Sequence, residues 1–440
     1  MQVNAEETVK VGIAGLGTVG SGTVNVIRRN AREIASRVGR PLEIAHIGAR
    51  RDNPDCDTTG IRVSRDIFEV ARDPEVDILV ELIGGTDTAR ELVLAAIEQG
   101  KHIVTANKAL IAEHGNEIFH AAHDKGVDVA FEAAVAGGIP ILKALGEGLA
   151  ANHINWVAGI INGTGNFILT EMREKGREFG EVLREAQALG YAEADPAFDI
   201  DGTDAAHKLT ILASIAFGIP LQYSKVYVEG IERISPEDVL AAEQLGYRIK
   251  HLGIAKDTGR GVELRVHPTL IPKEVLLASV NGVMNAIMVD GDAVGPTLYY
   301  GAGAGAEPTG SAVVADIIEL GRELTADHDE RVPYLGFRAD AMASTPVLPI
   351  DEVFCSYYIR LHVHDRTGVL ADVTRILTEH GISVEAMFQK DVDEGEPVPI
   401  VMLTHKVSER DLDAAFEKIR ALPAVFEDDL MRIRVEMLDA

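Results

Sequence analysis

Apolar residues in the first third of the chain occur in short runs that alternate with amphipathic stretches. Buried strands of a parallel sheet read as short apolar runs, whereas helices place apolar residues three and four positions apart. This pattern predicts helices that include residues 88–98 and 116–125, and strands at 9–14, 42–49, 76–82, 102–105 and 127–131. The βαβ rhythm indicates a doubly wound parallel α/β sheet.

A glycine motif follows the first predicted strand. Residues 15–20 read GLGTVG, and a helical pattern then continues through Arg29. Glycines at these three positions allow the tight turn, the approach of phosphates and the close packing of helix on strand. The free N–H groups of the helix start would face a pyrophosphate. Strand, motif and helix in this order predict a Rossmann-type dinucleotide-binding domain.

The second predicted strand ends in Ala49-Arg50-Arg51, where an acidic residue for the ribose hydroxyls is usual. Arginine there suits a 2′-phosphate, so NADP(H) is favoured over NAD(H); a surface arginine pair is the alternative. Two later loops, ending at Thr86 and Lys108, also follow strands at the carboxyl edge of the sheet. Both residues are therefore expected at the cofactor, with an ordinary helix-start lysine as the alternative for Lys108.

Carboxylates are concentrated in residues 190–208, GYAEADPAFDIDGTDAAHK, which open a predicted helix carrying Lys208. Asp204 and Lys208 are four residues apart and so share one face of that helix. An ammonium flanked by carboxylates can hold an amino-acid zwitterion and offer a proton to a substrate oxygen. The alternative is a solvated helix pair, with Asp201 as N-cap and Asp204 completing a capping-box variant.

Three segments rich in small residues lie in the middle of the chain. Residues 131–140, FEAAVAGGIP, combine carbonyls with one carboxylate, a set that suits a hard cation, although a tight turn into a helix at 141–149 is the alternative. Residues 162–166 turn into a helix at 167–175, whose N–H groups suit a substrate carboxylate. The Gly/Ala alternation at 301–306 precedes a helix at 311–320 and favours close approach to a ligand over a linker. Predicted strands at 156–161, 227–231, 261–267 and 284–289 indicate an antiparallel or mixed sheet, so this region is α+β.

The last quarter of the chain reads as a separate small domain after a linker at 326–352. Its predicted order is βαββαβ, with helices at 368–380 and 410–422 and strands at 356–364, 382–389, 399–407 and 431–437. That order is typical of a ferredoxin-like sheet with two helices on one face. The turn at 363–370, with Gly368 at the helix start, is a place for a small amino acid; a plain strand-to-helix turn is the alternative.

The net charge and the cysteine content limit the kinds of binding partner and the compartment that this chain suits. The net charge of −27 argues against nucleic acid or an anionic membrane, because both attract basic surfaces. Two cysteines are too few for a disulfide framework and fit a reducing cytosol. The N-terminal residues show no signal-peptide pattern, and the apolar run at 209–221 is too short to span a bilayer. A cytoplasmic protein is therefore expected.

Taken together, these motifs resemble the homoserine dehydrogenases, in the bacterial form with a C-terminal ACT domain, over nearly all 440 residues. The motifs that carry the resemblance are GLGTVG, TANK, FEAAVAGGIP, NGTGNFI, YAEADPAFDIDGTDAAHK and YYGAGAGAEPTGSAV. The resemblance implies cofactor contacts at Gly15, Gly17, Thr18, Val19, Gly20, Arg50, Lys108 and Gly305. It implies a monovalent cation, sodium or potassium, held by Glu132 and by the carbonyls of Val135, Gly137 and Ile139. It also implies a substrate held by Gly163, Thr164, Glu193 and Asp204, with Lys208 as general acid/base.

The implied reaction is the reversible reduction of L-aspartate 4-semialdehyde to L-homoserine. Hydride delivery to the aldehyde leaves an alkoxide, which a lysine can protonate. Lys108 and Lys208 are the two candidates, and the helix partner Asp204 favours Lys208. The ACT likeness implies feedback control by an amino acid, with L-threonine as the obvious candidate, and a homodimer or homotetramer is expected.

The resemblance also suggests a division into domains. The expected dinucleotide-binding domain is 1–135, to which the helix at 311–325 returns, and the substrate-binding and dimerisation domain is 136–325. The ACT domain is expected at 353–440, and deletion beyond Pro349 is expected to leave an active enzyme that is insensitive to L-threonine.

Two rival functions remain. One is another NADP-dependent oxidoreductase acting on a phosphorylated or acylated aldehyde, but such acylating enzymes need a nucleophilic cysteine. Neither Cys56 nor Cys355 lies at a predicted strand-to-helix turn. The other rival is an amino-acid sensor that has lost catalysis, against which the lysines and carboxylates argue.

Overall fold

The computed structural model describes residues 8–193, 195–324, 332–389 and 397–438. Its strands in chain order are β1 (Val9–Ala14), β2 (Leu42–Gly48), β3 (Arg62–Ser64), β4 (Ile78–Glu81), β5 (His102–Thr105), β6 (Val129–Ala130), β7 (Ile154–Ile160), β8 (Tyr227–Val228), β9 (Tyr247–Asp257), β10 (Val262–Pro272), β11 (Met284–Gly291), β12 (Gly295–Ala302), β13 (Phe354–Val363), β14 (Val384–Gln389), β15 (Val398–Thr404), β16 (Val407–Ser408) and β17 (Met431–Val435).

The helices in chain order are α1 (Thr18–Arg29), α2 (Ala31–Val38), α3 (Ile67–Arg72), α4 (Asp87–Glu98), α5 (Lys108–Lys125), α6 (Ile141–Lys143), α7 (Gly163–Lys175), α8 (Phe179–Ala188), α9 (Ala197–Ile200), α10 (Thr203–Phe217), α11 (Pro236–Gln244), α12 (Ala306–Glu323), α13 (Val369–Glu379) and α14 (Glu409–Arg420). Helix α6 continues as a π-helical turn over Ala144–Gly148. The chain forms two compact units. The first comprises Met1–Gly163, Asp204–Val226 and Val283–Thr345, and the second comprises Thr164–Thr203, Tyr227–Gly282 and Pro346–Ala440.

The first unit contains the predicted doubly wound sheet. Its strand order is β3-β2-β1-β4-β5-β6, and every pairing is parallel. Side chains such as Val11, Ile13 and Val80 are fully buried, as a sheet covered on both faces requires. The predicted fold class is confirmed. The sequence pattern did not show β3, α3 or a separate α2. Strand β3 was missed because it has only three residues and none of them is fully buried.

Helix α12 packs closely on α1 within this unit. A Cβ on Gly22 would lie 2.1 Å from the carbonyl oxygen of Ala306, and a Cβ on Gly310 would lie 2.9 Å from the carbonyl carbon of Gly22. Both positions therefore need glycine.

The Gly/Ala run is shared between two elements, because β12 extends to Ala302 and α12 already begins at Ala306. Strand β12 pairs with β11, and β11 pairs with β7, all antiparallel.

In the second unit the strands follow the order β9-β10-β17-β13-β15-β14, with β8 beside β10. The four strands β17-β13-β15-β14 and the helices α13 and α14 form the predicted ferredoxin-like module. Strand β17 also pairs in parallel with β10, so the sheet of the module continues into earlier parts of the chain. Strand β9 was not predicted, because it carries Lys250 and His251 on buried positions and so lacks an apolar run.

The described part of the predicted linker is packed. In the first unit, Tyr334 donates to the carbonyl of Val127 at 2.7 Å, and its ring stacks on Phe119 with centroids 5.2 Å apart. In the second unit, Val347 forms a β-bridge with Val262. Residues 325–331 lie outside the described residues. Across the described ranges, no helix has the length and apolar character needed to cross a bilayer.

Candidate active site

The glycine turn after β1 has the backbone that a dinucleotide requires. Gly15 has φ 105°, and a Cβ there would lie 2.5 Å from the carbonyl oxygen of Leu82. A Cβ on Gly20 would lie 2.1 Å from the carbonyl oxygen of Gly15, whereas a Cβ on Gly17 would meet nothing within 4 Å. The first glycine thus makes the turn, the third permits helix–strand contact, and the middle one leaves open space for phosphates.

The start of α1 is also suited to an anion. No side chain caps the helix, and its first turn contains no acidic residue. No side chain therefore competes with an anion for the first N–H groups, and the helix dipole favours a negative charge there. Thr18 is exposed and Val19 is half-buried at this end. These residues fit a bound dinucleotide.

The other predicted cofactor residues lie on loops of the same unit. Arg50 is exposed and lies two residues beyond the end of β2. Thr86 is half-buried at the start of α4. Gly305 precedes α12 with φ 126°, a backbone conformation that favours glycine.

Glu81 is a site residue that the sequence pattern did not reveal. It lies at the end of β4 with no exposed surface. Its Oε1 accepts from the N–H groups of Ile83 and Gly84 at 2.8 and 3.2 Å, and its Oε2 accepts from Thr105 Oγ1 at 2.6 Å. Burial raises the pKa of Glu81. In the sequence, Glu81 was visible only as a single carboxylate inside an apolar run. In the structure, its carboxylate connects the carboxyl ends of β4 and β5.

Asn107 places Lys108 at that edge. Its side-chain oxygen caps α5 by accepting from the N–H of Leu110 at 3.1 Å. Its side-chain nitrogen donates to the carbonyl of Gly85 at 2.6 Å. The first residue of α5, Lys108, is therefore held beside the loop that leads to Thr86.

Asp204 is the centre of the candidate active site. Lys108 Nζ lies 3.1 Å from Asp204 Oδ1, and Lys208 Nζ lies 2.7 Å from Asp204 Oδ2. Asn162 Nδ2 donates to the same Oδ2 at 2.9 Å. Lys208 also donates to the carbonyl of Ile161 at 2.7 Å. The two candidate lysines thus meet at one carboxylate, although they belong to different helices.

Burial and charge make this pair different from a solvated helix pair. Asp204 is 4% exposed. Burial alone would raise the pKa of Asp204, but the ammonium groups of Lys208 and Lys108 outweigh it and lower that pKa to about 2. The capping-box alternative also differs from what is seen: Asp201 accepts from the N–H of Thr203 at 2.8 Å, while the Asp204 carboxylate is directed to the lysines. Asp204 is therefore a buried, ionised carboxylate that pairs with two lysine ammonium groups.

His207 connects α10 with α5 beside this cluster. Its Nε2 lies 3.1 Å from Glu113 Oε1, and its ring stacks on Tyr223 with centroids 4.2 Å apart. Burial lowers the pKa of His207. Nothing in the sequence pattern distinguished this histidine from an ordinary core residue, because Glu113 and Tyr223 reach it only in the tertiary structure.

The predicted substrate residues are divided between the two units. Gly163 belongs to the first unit with Asp204 and Lys208, and a Cβ on Gly163 would lie 2.7 Å from the carbonyl oxygen of Val283. Thr164 and Glu193 belong to the second unit. There the Thr164 hydroxyl donates to the carbonyl of Tyr191 at 2.6 Å, and Glu193 is exposed.

The loop predicted to hold a cation is buried and tightly turned. Glu132 is 3% exposed, and its two oxygens accept from the N–H groups of Leu142 and Lys143, both at 2.9 Å. Burial raises the pKa of Glu132. Ala136 and Gly137 have φ 54° and 42°, the left-handed region, so the backbone reverses direction sharply at this point.

Carboxylate oxygens can accept more than one contact each, so this buried loop can offer a hard monovalent cation an oxygen ligand from Glu132. It differs from a transition-metal site. Among the described residues, no group of three or more histidine, cysteine, aspartate or glutamate side chains is placed to hold a metal ion.

Comparison with known proteins shows the family. Residues 15–132 match the model of the homoserine dehydrogenase NAD-binding domain, residues 140–318 match that of homoserine dehydrogenase, and residues 357–424 match that of the ACT domain. A homoserine dehydrogenase of Pseudomonas aeruginosa is 62% identical over 432 residues, covering 98% of this chain and 99% of that relative. This chain belongs to the homoserine dehydrogenase family.

Solved structures of homoserine dehydrogenases agree with this assignment. One from Thiobacillus denitrificans is 58% identical with a TM-score of 0.93, covering 98% of this chain and 99% of the other. A hyperthermophilic archaeal homoserine dehydrogenase in complex with NADPH is 27% identical with a TM-score of 0.61, covering 71% of this chain and 98% of the other. The family consists of nicotinamide-dependent oxidoreductases of a CH–OH group, here carrying a C-terminal ACT domain.

Proposed function

We propose that this chain catalyses the reversible reduction of L-aspartate 4-semialdehyde to L-homoserine, with NADP(H) preferred and NAD(H) accepted. The observation that carries the proposal is the convergence of Lys108 and Lys208 on the buried carboxylate of Asp204, in the unit that holds the glycine turn. The family membership supports the same reaction.

Binding of the cofactor is assigned to the loops at the carboxyl edge of the parallel sheet. Gly15, Gly17, Thr18, Val19 and Gly20 would hold the pyrophosphate at the start of α1. Arg50 would face a 2′-phosphate, and Thr86, Lys108 and Gly305 would line the rest of the site. The bound cofactor supplies the hydride.

Lys208 is assigned the proton transfer. Two ammonium groups and one carboxylate give the Asp204 cluster a net charge of +1. A positive cluster stabilises the alkoxide that forms when the aldehyde is reduced, and an ammonium can then donate the proton. Lys208 donates to Asp204 and to the Ile161 carbonyl, which orients its ammonium; Lys108 remains the second candidate.

The substrate is assigned to Gly163, Thr164, Glu193, Asp204 and Lys208. Glu193 is an exposed carboxylate and suits the α-ammonium of the amino acid. Asp204 already faces two ammonium groups, so its main contribution is to hold those groups at the reacting oxygen. The N–H groups at the start of α7 suit the substrate carboxylate.

A cysteine-dependent reaction on an acylated aldehyde is disfavoured. Cys56 and Cys355 are both free and buried. Burial raises the pKa of the Cys56 thiol and raises that of Cys355 to about 12. Because the thiolate is the nucleophile, neither cysteine suits that chemistry.

We also propose that Glu132 and the carbonyls of Val135, Gly137 and Ile139 hold a sodium or potassium ion. The N–H of Gly138 donates to the carbonyl of Ala302 at 3.0 Å, so this loop supports the segment that leads to Gly305. A cation there would stabilise the cofactor side of the site without taking part in proton transfer.

The cofactor preference is tested by following nicotinamide reduction with L-homoserine and either NADP⁺ or NAD⁺. The expected result is a lower KM for NADP⁺, and Arg50→Ala is expected to raise that KM about 10-fold because one charge-assisted contact to phosphate is lost. The KM for NAD⁺ should stay unchanged in the variant, which serves as its internal control. A wild-type preference for NAD⁺ would refute the role of Arg50, and absence of any turnover with L-homoserine would refute the proposed function.

The ACT domain, which we place at 353–440 after a linker at 326–352, is proposed to bind L-threonine at the turn before α13. Gly368 precedes that helix with φ 96°, and no side chain caps it. Gly368→Val is expected to weaken inhibition by L-threonine at least 10-fold, because a β-branched residue disfavours this backbone. Gly381→Val is the matched control, since Gly381 also has positive φ and open space beside it. Equal inhibition of both variants and wild type would contradict this site.

We propose a homodimer or homotetramer, because the ACT module and the sheet of the middle domain favour association, and light scattering of the full chain would measure it. The remaining domain boundaries that we propose are 1–135 for the dinucleotide-binding domain, with α12 returning to it, and 136–325 for the substrate-binding domain.

A further inference from the structure

Arg434 is a buried arginine that links β17 of the ACT domain to an earlier segment of the second unit. Its side chain is 2% exposed. The guanidinium donates to Glu409 Oε2 at 2.9 Å and to Glu229 Oε2 at 2.8 Å, and it lies over the ring of Tyr227 at 4.8 Å. It therefore joins one carboxylate of the ACT domain to one carboxylate outside it.

Glu229 belongs to a short segment, residues 229–231, that is held on both sides. Its N–H donates to the carbonyl of Val266 on β10 at 2.8 Å. Its carbonyl accepts from His251 Nε2 on β9 at 2.9 Å. Its side chain accepts from Arg434, so backbone and side chain together place the segment.

The 229–231 segment lies directly against residues 200–202. The N–H of Ile231 donates to the carbonyl of Ile200 at 3.0 Å. A Cβ on Gly230 would lie 2.6 Å from that carbonyl oxygen and 2.9 Å from the Cα of Asp201. Backbone touches backbone here, so a shift of one segment moves the other.

Residues 200–202 directly precede α10, the helix that carries Asp204 and Lys208. Gly202 has φ 94°, and a Cβ there would lie 2.9 Å from Val228 Cγ1. Asp201 accepts from the N–H of Thr203, the first residue of α10, and Asp204 follows in the chain. The 229–231 segment therefore packs against the residues that immediately precede α10.

We propose that Glu229 and Arg434 are positioning residues for the proposed reaction: their ion pair holds the 229–231 segment against residues 200–202 and so places Asp204 and Lys208. The ferredoxin-like module thereby contributes a side chain that positions the start of α10. The inference rests on the proposed function, in which Lys208 transfers the proton.

Glu229→Gln is the informative variant, because it removes one charge and keeps the shape. Arg434 retains Glu409 as its partner, so no buried charge is left alone. The matched control is Glu436→Gln. Glu436, the residue directly after β17, pairs with Arg265 of β10 at 2.6 Å, and this ion pair does not include Glu229.

The expected result is that Glu229→Gln lowers kcat for L-homoserine oxidation about 3- to 30-fold, the range typical of coupling through packed networks. The KM for NADP⁺ should change by less than about twofold, because the residues assigned to cofactor binding do not include Glu229 or its partners. Glu436→Gln should keep kcat within about twofold of wild type while lowering Tm to a similar extent. Equal kcat losses in the two variants, or wild-type kcat in Glu229→Gln, would overturn the proposal.

Arg434→Lys provides a second test from the other partner. Lysine keeps the charge but cannot span two carboxylates as the guanidinium does. Its kcat should fall as in Glu229→Gln, and the double variant should lose less than the product of the two single losses. Simple multiplication of the two losses would show that the residues act independently and would overturn the proposal.

Hydrogen exchange separates this inference from the proposed function. In Glu229→Gln the amides of residues 200–208 should exchange faster than in wild type and in Glu436→Gln, whatever substrate the enzyme uses. Unchanged exchange in that segment would overturn the positioning role. Faster exchange in a protein that does not oxidise L-homoserine would support the positioning role and refute only the proposed substrate.

Discussion

Replacing Lys208 by alanine is expected to lower kcat for L-homoserine oxidation by about 10²–10⁴-fold, the loss typical of removing a general acid/base. Lys208 is 12% exposed and makes two hydrogen bonds that fix its ammonium, one to Asp204 and one to the Ile161 carbonyl. The affinity for NADP⁺, measured by fluorescence titration, should remain close to that of wild type.

The companion variant Lys108→Ala distinguishes the two lysines. Lys108 lies 3.1 Å from the other oxygen of Asp204 and is 31% exposed. We expect Lys108→Ala to lose less turnover than Lys208→Ala. We also expect Lys108→Ala to raise the KM for NADP⁺, because Lys108 is assigned to cofactor binding. Lys175→Ala is the control for a surface lysine, since Lys175 pairs with Glu171 at the exposed end of α7. Near wild-type turnover in Lys208→Ala would remove this residue from the mechanism.

Truncation after Pro349 is expected to leave the second unit unfolded, in contrast to the sequence-based expectation of an active, effector-insensitive enzyme. One hydrophobic core combines Tyr358, Val401 and Ile433 of the C-terminal ferredoxin-like module with Ile168 and Leu270 from earlier in the chain. Removing the domain would expose the apolar face of α7 and β10 and would also unpair the edge of β10.

Buried charges strengthen this expectation. Asp238 has no exposed surface; Arg360 Nε and Nη2 donate to it at 2.7 and 3.2 Å, and Tyr358 donates at 3.0 Å. Leaving such a charge without its partner costs about 3–5 kcal/mol, against a total stability of about 5–15 kcal/mol for a typical domain. Size-exclusion chromatography and circular dichroism would show aggregation and lost structure. The full-length Gly368→Val variant is the folded control, and a truncated chain that is monodisperse and active would contradict the expectation.

The shared core also bears on the regulation that we propose for the ACT domain. Strand β17 pairs with β10 at Thr269 and Leu270, so the ACT domain and the segment beside Glu229 form one continuous sheet. An effector that binds the two states of the enzyme unequally needs an element that connects its site to the active site. The Arg434–Glu229 pair, which we propose positions the start of α10, is our candidate for such an element.

Several features of this protein follow from the sequence alone. The parallel sheet, the glycine turn and the ferredoxin-like module were predicted because each depends on a local pattern: short apolar runs, glycines at fixed spacing, and alternation along strands. The contact of Asp204 with Lys208 was also predictable, since residues four apart on a helix face the same side.

Only the tertiary structure brought distant residues together. Lys108 reaches Asp204 because α5 begins at the carboxyl edge of β5, and Thr105 reaches Glu81 because β4 and β5 are neighbours. Strand β9 buries charged side chains, which removes the apolar run by which strands are recognised. The pairing of β17 with β10 joins residues far apart in the chain, and no local pattern encodes it. Local patterns thus determined many of the elements, while long-range packing decided the candidate active site and the attachment of the ferredoxin-like module, because contacts between distant residues depend on how whole elements pack.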